Sequence, residues 1–326
     1  MAGTATAERF DQMASTTLNV YAEKMLQDQI FQADPLFAVL YAKGRKEKYL
    51  KGGNYIEVPL MYGKNETGQS YRGLEVLDTS TTEGIGNALF PWSMYNIAIA
   101  VSNEDLLKNT GEAAVIDLLK AKIEQAKLSM MEDLTEMLYA DGTGNSGKDM
   151  LGLQAIVGSG DTLAGIDAST YTWWASQVNS DAVALSTDWM RTMVNSVRGS
   201  GASAPVMGAN VGRVDLIVTT QDLYEAYEAL VEPHVRTQET KLGQLGFESL
   251  RFKGAEVTWS DNCPSGYMYF LSTDYMSLKC HPERDFKSTP FQTPVNQDGR
   301  IAHIQFMGNL VTSNRRRLGV ATGKTA

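Results

Sequence analysis

The chain is poor in the residues that build most reactive centres. Its 326 residues include only two cysteines, Cys263 and Cys280, and three histidines. Two thiols are too few for a disulfide framework and suit a reducing compartment. Three histidines leave little material for metal or acid/base sites. No apolar run approaches the roughly 18 residues that span a bilayer. The start, Met1-Ala2-Gly3-Thr4-Ala5, lacks the basic and apolar regions of a secretory signal. G-x-S-x-G and H-E-x-x-H are both missing, which removes the common nucleophile-elbow and zinc-protease readings. Positive charge is also short. A formal net charge of -9 opposes general affinity for a phosphate backbone. An acidic protein can still enclose nucleic acid without gripping it.

What the chain does have is an order of segments. Residues 1 to about 48 read as an arm. Within it Leu18, Tyr21, Met25 and Phe31 have helical spacing, and Pro35 ends the run. Lys43, Arg45, Lys46, Lys48 and Lys51 form a basic cluster around Glu47. Two readings stand for it: a solvated connector, or a contact with an acidic neighbour or with nucleic acid. Residues 49–103 read as an extended loop. Asn54 to Tyr62 is strand-like, with Pro59 favouring an edge. Gly63 to Ser70 is polar and turn-rich, and the return runs from Tyr71 to Val101. Near its end Tyr95, Ile97, Ile99 and Val101 share one face. So much apolar surface before any compact core needs burial, either on the chain's own body or on another copy.

A long helix follows. Asn109 and Glu112 form a capping box. Ile116, Leu119, Ile123, Ala126, Met130, Leu134 and Met137 make one stripe. A helix from Gly111 to Ala140 would be roughly 45 Å long. Gly142 stops it. A helix over 187–198, a break at Gly199 to Pro205, a strand at 214–218 and a helix opened by Thr219 come next. Tyr224, Tyr227 and Leu230 line that second helix. Tyr267–Leu271 and Tyr275–Cys280 read as paired strands around Ser272-Thr273-Asp274. Ile301 to Val311 alternates as a late strand, before Arg315-Arg316-Arg317. That charge run suits either a bidentate contact with an acidic face of a neighbour or a solvated turn.

Gly142-Thr143-Gly144-Asn145-Ser146-Gly147-Lys148 matches G-x-G-x-x-G and most of a Walker A loop. Both motifs need a strand before and a helix after, so that backbone N–H groups meet phosphate at a helix start. Here a helix precedes, and Asp149 stands where Ser or Thr would hold magnesium. An α/β nucleotide-binding enzyme using this loop is therefore only an alternative. Cys263, Cys280 and His281 lack metal-ligand spacing, and Cys280 reads as a small apolar filler. No catalytic, cofactor-binding or metal-binding residue is assigned.

Taken in order, these elements resemble the major capsid proteins of tailed bacteriophages, with the Hong Kong 97-type fold. The resemblance rests on the segment order and on Tyr139-Ala140-Asp141-Gly142-Thr143-Gly144 with Gly152-Leu153-Gln154. It rests also on Trp173-Trp174, on Leu216 to Tyr224, and on Arg317-Leu318-Gly319-Val320. It implies an α+β fold with an N-terminal arm (1–48), an extended β-hairpin loop (49–103), a peripheral domain with a spine helix (104–212), an axial domain (213–284) and a return to the peripheral domain (285–326). It implies self-assembly as hexamers and pentamers into an icosahedral head around double-stranded DNA, without cofactor or enzymatic activity. Separate scaffolding, portal and possibly decoration proteins follow from it, as does assembly in the bacterial host cytoplasm and residence in the virion. An encapsulin-like protein compartment is the alternative within the same fold. Candidate inter-subunit contacts are Tyr62, Lys64, Asn65, Tyr71 and Arg72 near the loop tip, and Arg315, Arg316 and Arg317. Some members crosslink through a lysine and an asparagine, but Lys64 and Asn65 align to no such position.

Overall fold

The computed structural model describes residues 34–49, 52–81, 83–104, 112–199, 213–231, 250–295 and 298–325. The helix expected within residues 1–33, the cap at Asn109, Lys51 and the break at 201–205 lie outside them. The body begins earlier than the sequence suggests. Asp34 caps helix α1 (Pro35–Ala42), its carboxylate accepting the Phe37 N–H at 3.1 Å. Pro35 through Leu40 are all buried. Strand β1 (Lys46–Lys48) then runs parallel to a strand of the body. Residues 34–48 are thus core and sheet, which corrects the expected arm boundary. Their apolar run is consecutive because α1 is enclosed on every side.

β2 (Tyr55–Met61) and β3 (Ile85–Pro91) pair antiparallel, from Tyr55↔Pro91 to Met61↔Ile85. Strand alternation puts Ile56, Leu60, Ala88 and Phe90 into the core, while Tyr55, Met61 and Ile85 face out. The return, read as beginning at Tyr71 and strengthening between Leu89 and Val101, holds more than one strand. After Trp92 the chain enters β4 (Ser93–Ser102), which leaves the hairpin and pairs with a late strand of the body. Ile99 and Val101 lie on its buried face, as the alternation indicates.

The spine helix α2 spans Glu112–Tyr139. From residue 122 on, Ile123, Ala126, Met130, Leu134 and Leu138 form its buried stripe, with Met131 beside it. The chain then turns beneath the end of the helix. A side chain at Gly152 would collide with the carbonyl oxygens of Met137, Leu138 and Ala140. Helix α3 (Leu153–Ile156), the small ladder β5 (Thr162–Leu163) with β6 (Ile166–Asp167), and a 3-10 turn at Thr172–Trp174 follow.

The remaining strands are β7 (Gln177–Asn179), β8 (Leu216–Thr219), β9 (Leu250–Phe252), β10 (Ala255–Trp259), β11 (Met268–Leu271), β12 (Met276–Cys280), β13 (Lys287–Ser288), β14 (Gly299–Thr312) and β15 (Gly319–Ala321). Helices α4 (Thr187–Gly199) and α5 (Gln221–Val231) lie between them. Among the described residues, one sheet has the order β1-β12-β14-β13, with β4 also on β14. A second has the order β7-β15-β11-β8-β10-β9. The second sheet is buried on both faces. Leu216, Val218, Tyr269, Leu271 and Val320 belong to the large core. Ile217, Val257, Met268, Phe270 and Ala321 pack with Met190, Met193, Val197, Leu223 and Tyr227 of α4 and α5. Leu230 stays exposed.

Two expectations change here. β11 and β12 do not form a hairpin. The 3-10 turn at Thr273–Tyr275 passes the chain from one sheet to the other. The segment 213–284 is also not a closed unit, because its sheet recruits β7 and β15 and gives up β12 to the first sheet.

Candidate assembly surface

The loop tip is the part of the described chain with most apolar surface left in water. Every described residue from Gly68 to Thr81 is exposed. Leu74 and Val76 are 104% and 92% exposed, and Tyr71 and Leu77 add to them. Met61 and Ile85, paired across the hairpin, are 82% and 74% exposed. Apolar area concentrated on a projection marks a contact surface. The tip is ordered by its own polar groups. Asn65 Oδ1 accepts from Thr67 N at 3.0 Å and Thr67 Oγ1 at 2.7 Å. Arg72 N donates to Glu75 Oε2 at 3.1 Å. Lys64 and Arg72 are exposed. Tyr62 is different: its ring stacks on Trp173 of its own chain, with centroids 4.7 Å apart and planes 6° from parallel.

The arginine run does not sit with the tip. Arg315 is fully buried. Its Nε donates to Ile156 O at 2.6 Å and its Nη2 to Ala155 O at 3.2 Å and Asp161 Oδ2 at 2.6 Å. Arg317 is buried as well and donates to the carbonyls of Val197 and Arg198. Both caps satisfy carbonyls at helix C-termini, of α3 and α4. Arg315 and Arg317 are therefore internal, which corrects their candidacy as inter-subunit contacts. Arg316, between them, is half-exposed.

The basic cluster is also largely spent inside the chain. Lys43 pairs with Asp215 and also donates to Thr273 Oγ1 at 2.8 Å. Arg45 reaches Asp274 at 3.1 Å. Lys46 meets Asp285 at 2.7 Å, both side chains only 11% exposed, and sits 4.7 Å from the centre of the Phe286 ring. Lys279 pairs with Glu47. These pairs bind the start of the body to both sheets. Lys48, of the same cluster, stays exposed.

The Gly142–Lys148 loop lacks the preceding strand of a phosphate-binding loop. The spine helix enters it, and Asn145 and Ser146 take left-handed φ of 52° and 63° within the turn Gly144–Gly147. The Asp149 carboxylate lies against Gly144, where a side chain would overlap it, and that charge repels an anion. Cys263 and Cys280 are buried free thiols, each pushed up to about 12, chiefly by burial, and so are held in the unreactive protonated form. Among the described residues no His, Cys, Asp and Glu group could hold a metal ion, and no helix is long and apolar enough to cross a membrane.

Solved structures share this architecture. A chain of the cyanophage A-1(L) capsid asymmetric unit superposes with a TM-score of 0.65 at 19% identity, covering 87% of this chain and 91% of its own. The capsid of a native GTA particle gives 0.56 at 10% identity over 87% and 89%. The holo-SrpI encapsulin of Synechococcus elongatus PCC 7942 gives 0.55 at 10% identity over 87% of each chain. No protein-family model and no curated protein matches the sequence. The chain has the Hong Kong 97-type capsid fold.

Proposed function

We propose that this protein is the major capsid protein of a tailed bacteriophage, which assembles as hexamers and pentamers into an icosahedral head around double-stranded DNA. The observation that carries the reading is the projecting tip. Described residues 68–81 are exposed throughout and include Tyr71, Leu74, Val76 and Leu77, with Met61 and Ile85 exposed beside them on the hairpin. A second copy would cover that tip, with Lys64, Asn65, Tyr71 and Arg72 in the contact; their exposure supports this. A repeated contact of about 1,600 Å² per pair would suffice for cooperative closure. DNA would be held by enclosure, in keeping with a net charge of -9 and the internal pairing of Lys43, Arg45 and Lys46. The role is structural, with no cofactor. Scaffolding, portal and possibly decoration proteins would be separate chains, and assembly would take place in the host cytoplasm.

Replacing residues 64–83 by a short Gly-Ser linker tests this. The subunit should keep its circular dichroism spectrum and fail to form closed particles in negative stain. Normal closed particles from that variant would refute the role of the tip. The encapsulin likeness supports a second reading, a compartment that encloses protein. Particles purified from their native source decide between the two: nuclease-protected DNA favours the capsid, and a co-purifying enzyme favours the compartment.

A further inference from the structure

Among the described residues the loop is clamped at its base, beyond which its hydrogen bonds stay within the tip, and the change falls between two adjacent residues. Below the change, the Tyr62 ring stacks on Trp173 and also lies against Gly86, where a Cβ would come 3.3 Å from Tyr62 Cε1. Trp173 is braced edge-on by Trp174, at 5.8 Å and 63°. Trp174 is buried and its indole N–H donates to Leu163 O at 3.2 Å. Leu89 N donates to Ala164 O at 3.0 Å, tying β3 to the same ladder. Immediately above, the two sides of the loop pinch together. A Cβ on Gly63 would lie 2.8 Å from Gly84 Cα, and one on Gly84 would lie 3.0 Å from Gly63 O. Tyr62 N and Gly63 N both donate to Gly84 O, at 2.9 and 3.3 Å. Past that pinch the hydrogen bonds of the tip run within the tip, linking Asn65 to Thr67, Gln69 to Val76, Arg72 to Glu75 and Asp78 to Ser80.

We propose that Gly63 and Gly84 form a hinge and that the Tyr62–Trp173 stack is its latch. The tip then swings as one strap, and its exit angle depends on whether the stack is closed. Two facing glycines give backbone freedom where any side chain would wedge the strands apart. An aromatic stack is strong enough to choose between two angles and weak enough to be reopened. Under the shell reading, on which this last step rests, the exit angle sets the angle between neighbouring copies and hence the curvature of the wall.

Trypsin reads the latch without requiring assembly. Cleavage after Lys64 needs the chain around Tyr62 and Gly63 to peel from Gly84, whereas cleavage after Arg72 reports the tip alone. In the full-length unassembled protein, Tyr62→Leu and Trp173→Leu should raise the ratio of Lys64 to Arg72 cleavage roughly two- to twelve-fold, the range an aromatic pair supplies. Trp173→Phe, which keeps a ring, should return most of the way to wild type. Gly86→Val, which pushes Tyr62 from its other neighbour, is the second variant should a Trp173 change impair folding. An unchanged ratio, or an equal rise at both sites, would overturn the latch. Particles of Trp173→Leu should be broader in diameter than wild type, and an unchanged diameter would overturn the link to curvature. Absence of wild-type particles would count against the shell reading alone, since the cleavage ratio still decides the latch.

Discussion

The guanidinium of Arg315 meets the carboxylate of Asp161 at 2.6 Å across 154 residues of sequence, with the cation fully buried and the anion half in water. The asymmetry assigns the burden. Asp161 can be hydrated if its partner is lost, whereas the carbonyl of the fully buried Ile156 is left without its donor. Gly158 makes room for the pair, since a Cβ there would lie 2.8 Å from Arg315 Nη2. Arg315→Met should therefore cost about 2–4 kcal/mol, slightly below the usual cost of breaking a fully buried pair. Arg316→Ala should stay within about 0.5 kcal/mol. Denaturant midpoints of the unassembled subunit measure both.

Asp34 predicts a pH dependence. Burial pushes its carboxyl up from 3.8 to about 6, against the hydrogen bonds from Tyr139 and Phe37 that favour the charge. Among the described residues no ion pair reaches it. The folded chain therefore binds the proton more tightly than the unfolded chain. The associated stability is fully present below about pH 4 and is lost as pH rises through 6. Unfolding free energy should fall by on the order of 2–3 kcal/mol between pH 4 and pH 7.5 from this group. Asp34→Asn should flatten that part of the profile. A profile of the same shape in the variant would remove Asp34 as its cause.

Gly152 predicts a packing failure. It sits directly against three carbonyls at the end of the spine helix. Gly152→Ala should lower stability by several kcal/mol, about the upper end for single changes. Gly160→Ala is the control, because nothing lies within 4 Å of its Cβ position. Thermal unfolding of the two variants side by side gives the comparison.

The basic cluster predicts a negative result for DNA. Lys43→Ala with Arg45→Ala should leave retention of duplex DNA by the unassembled subunit unchanged across salt concentrations, because these charges already have partners. Stability should drop by about 0.5–2 kcal/mol, as expected for partly exposed pairs. Loss of a salt-dependent affinity in the double variant would restore a direct role in DNA contact.

Local patterns were the legible part of the sequence. The stripe from Ile123 to Leu134 recurs at helical spacing, and Tyr95 to Val101 alternates as a strand, because each element buries one face. What the pattern could not show is which partner each element takes. β4 carries the same alternation whether it continues the hairpin or joins β14. Ser272-Thr273-Asp274 reads as a hairpin turn whether the next strand comes back or crosses to another sheet. The arginine run was read as surface because three adjacent charges usually are. Its true partners, Ala155, Asp161 and Val197, are more than a hundred residues away. Of the candidate contact residues, Lys64, Asn65, Tyr71 and Arg72 gather on the tip. Tyr62 turned out to hold the tip to the body, which only the distant Trp173 could reveal.

The position of β14 and β15 has a consequence for biosynthesis. β14 lies between β4, β12 and β13, and β15 lies between β7 and β11, so both sheets are completed by residues 299–321. A ribosome that has not yet released this stretch holds a chain with ten residues of β4 unpaired and with β7 and β11 apart. Neither core can close cooperatively until both strands emerge. Folding of both sheets thereby waits for residues 299–321 to emerge, and a chain terminated before them lacks β14 and β15.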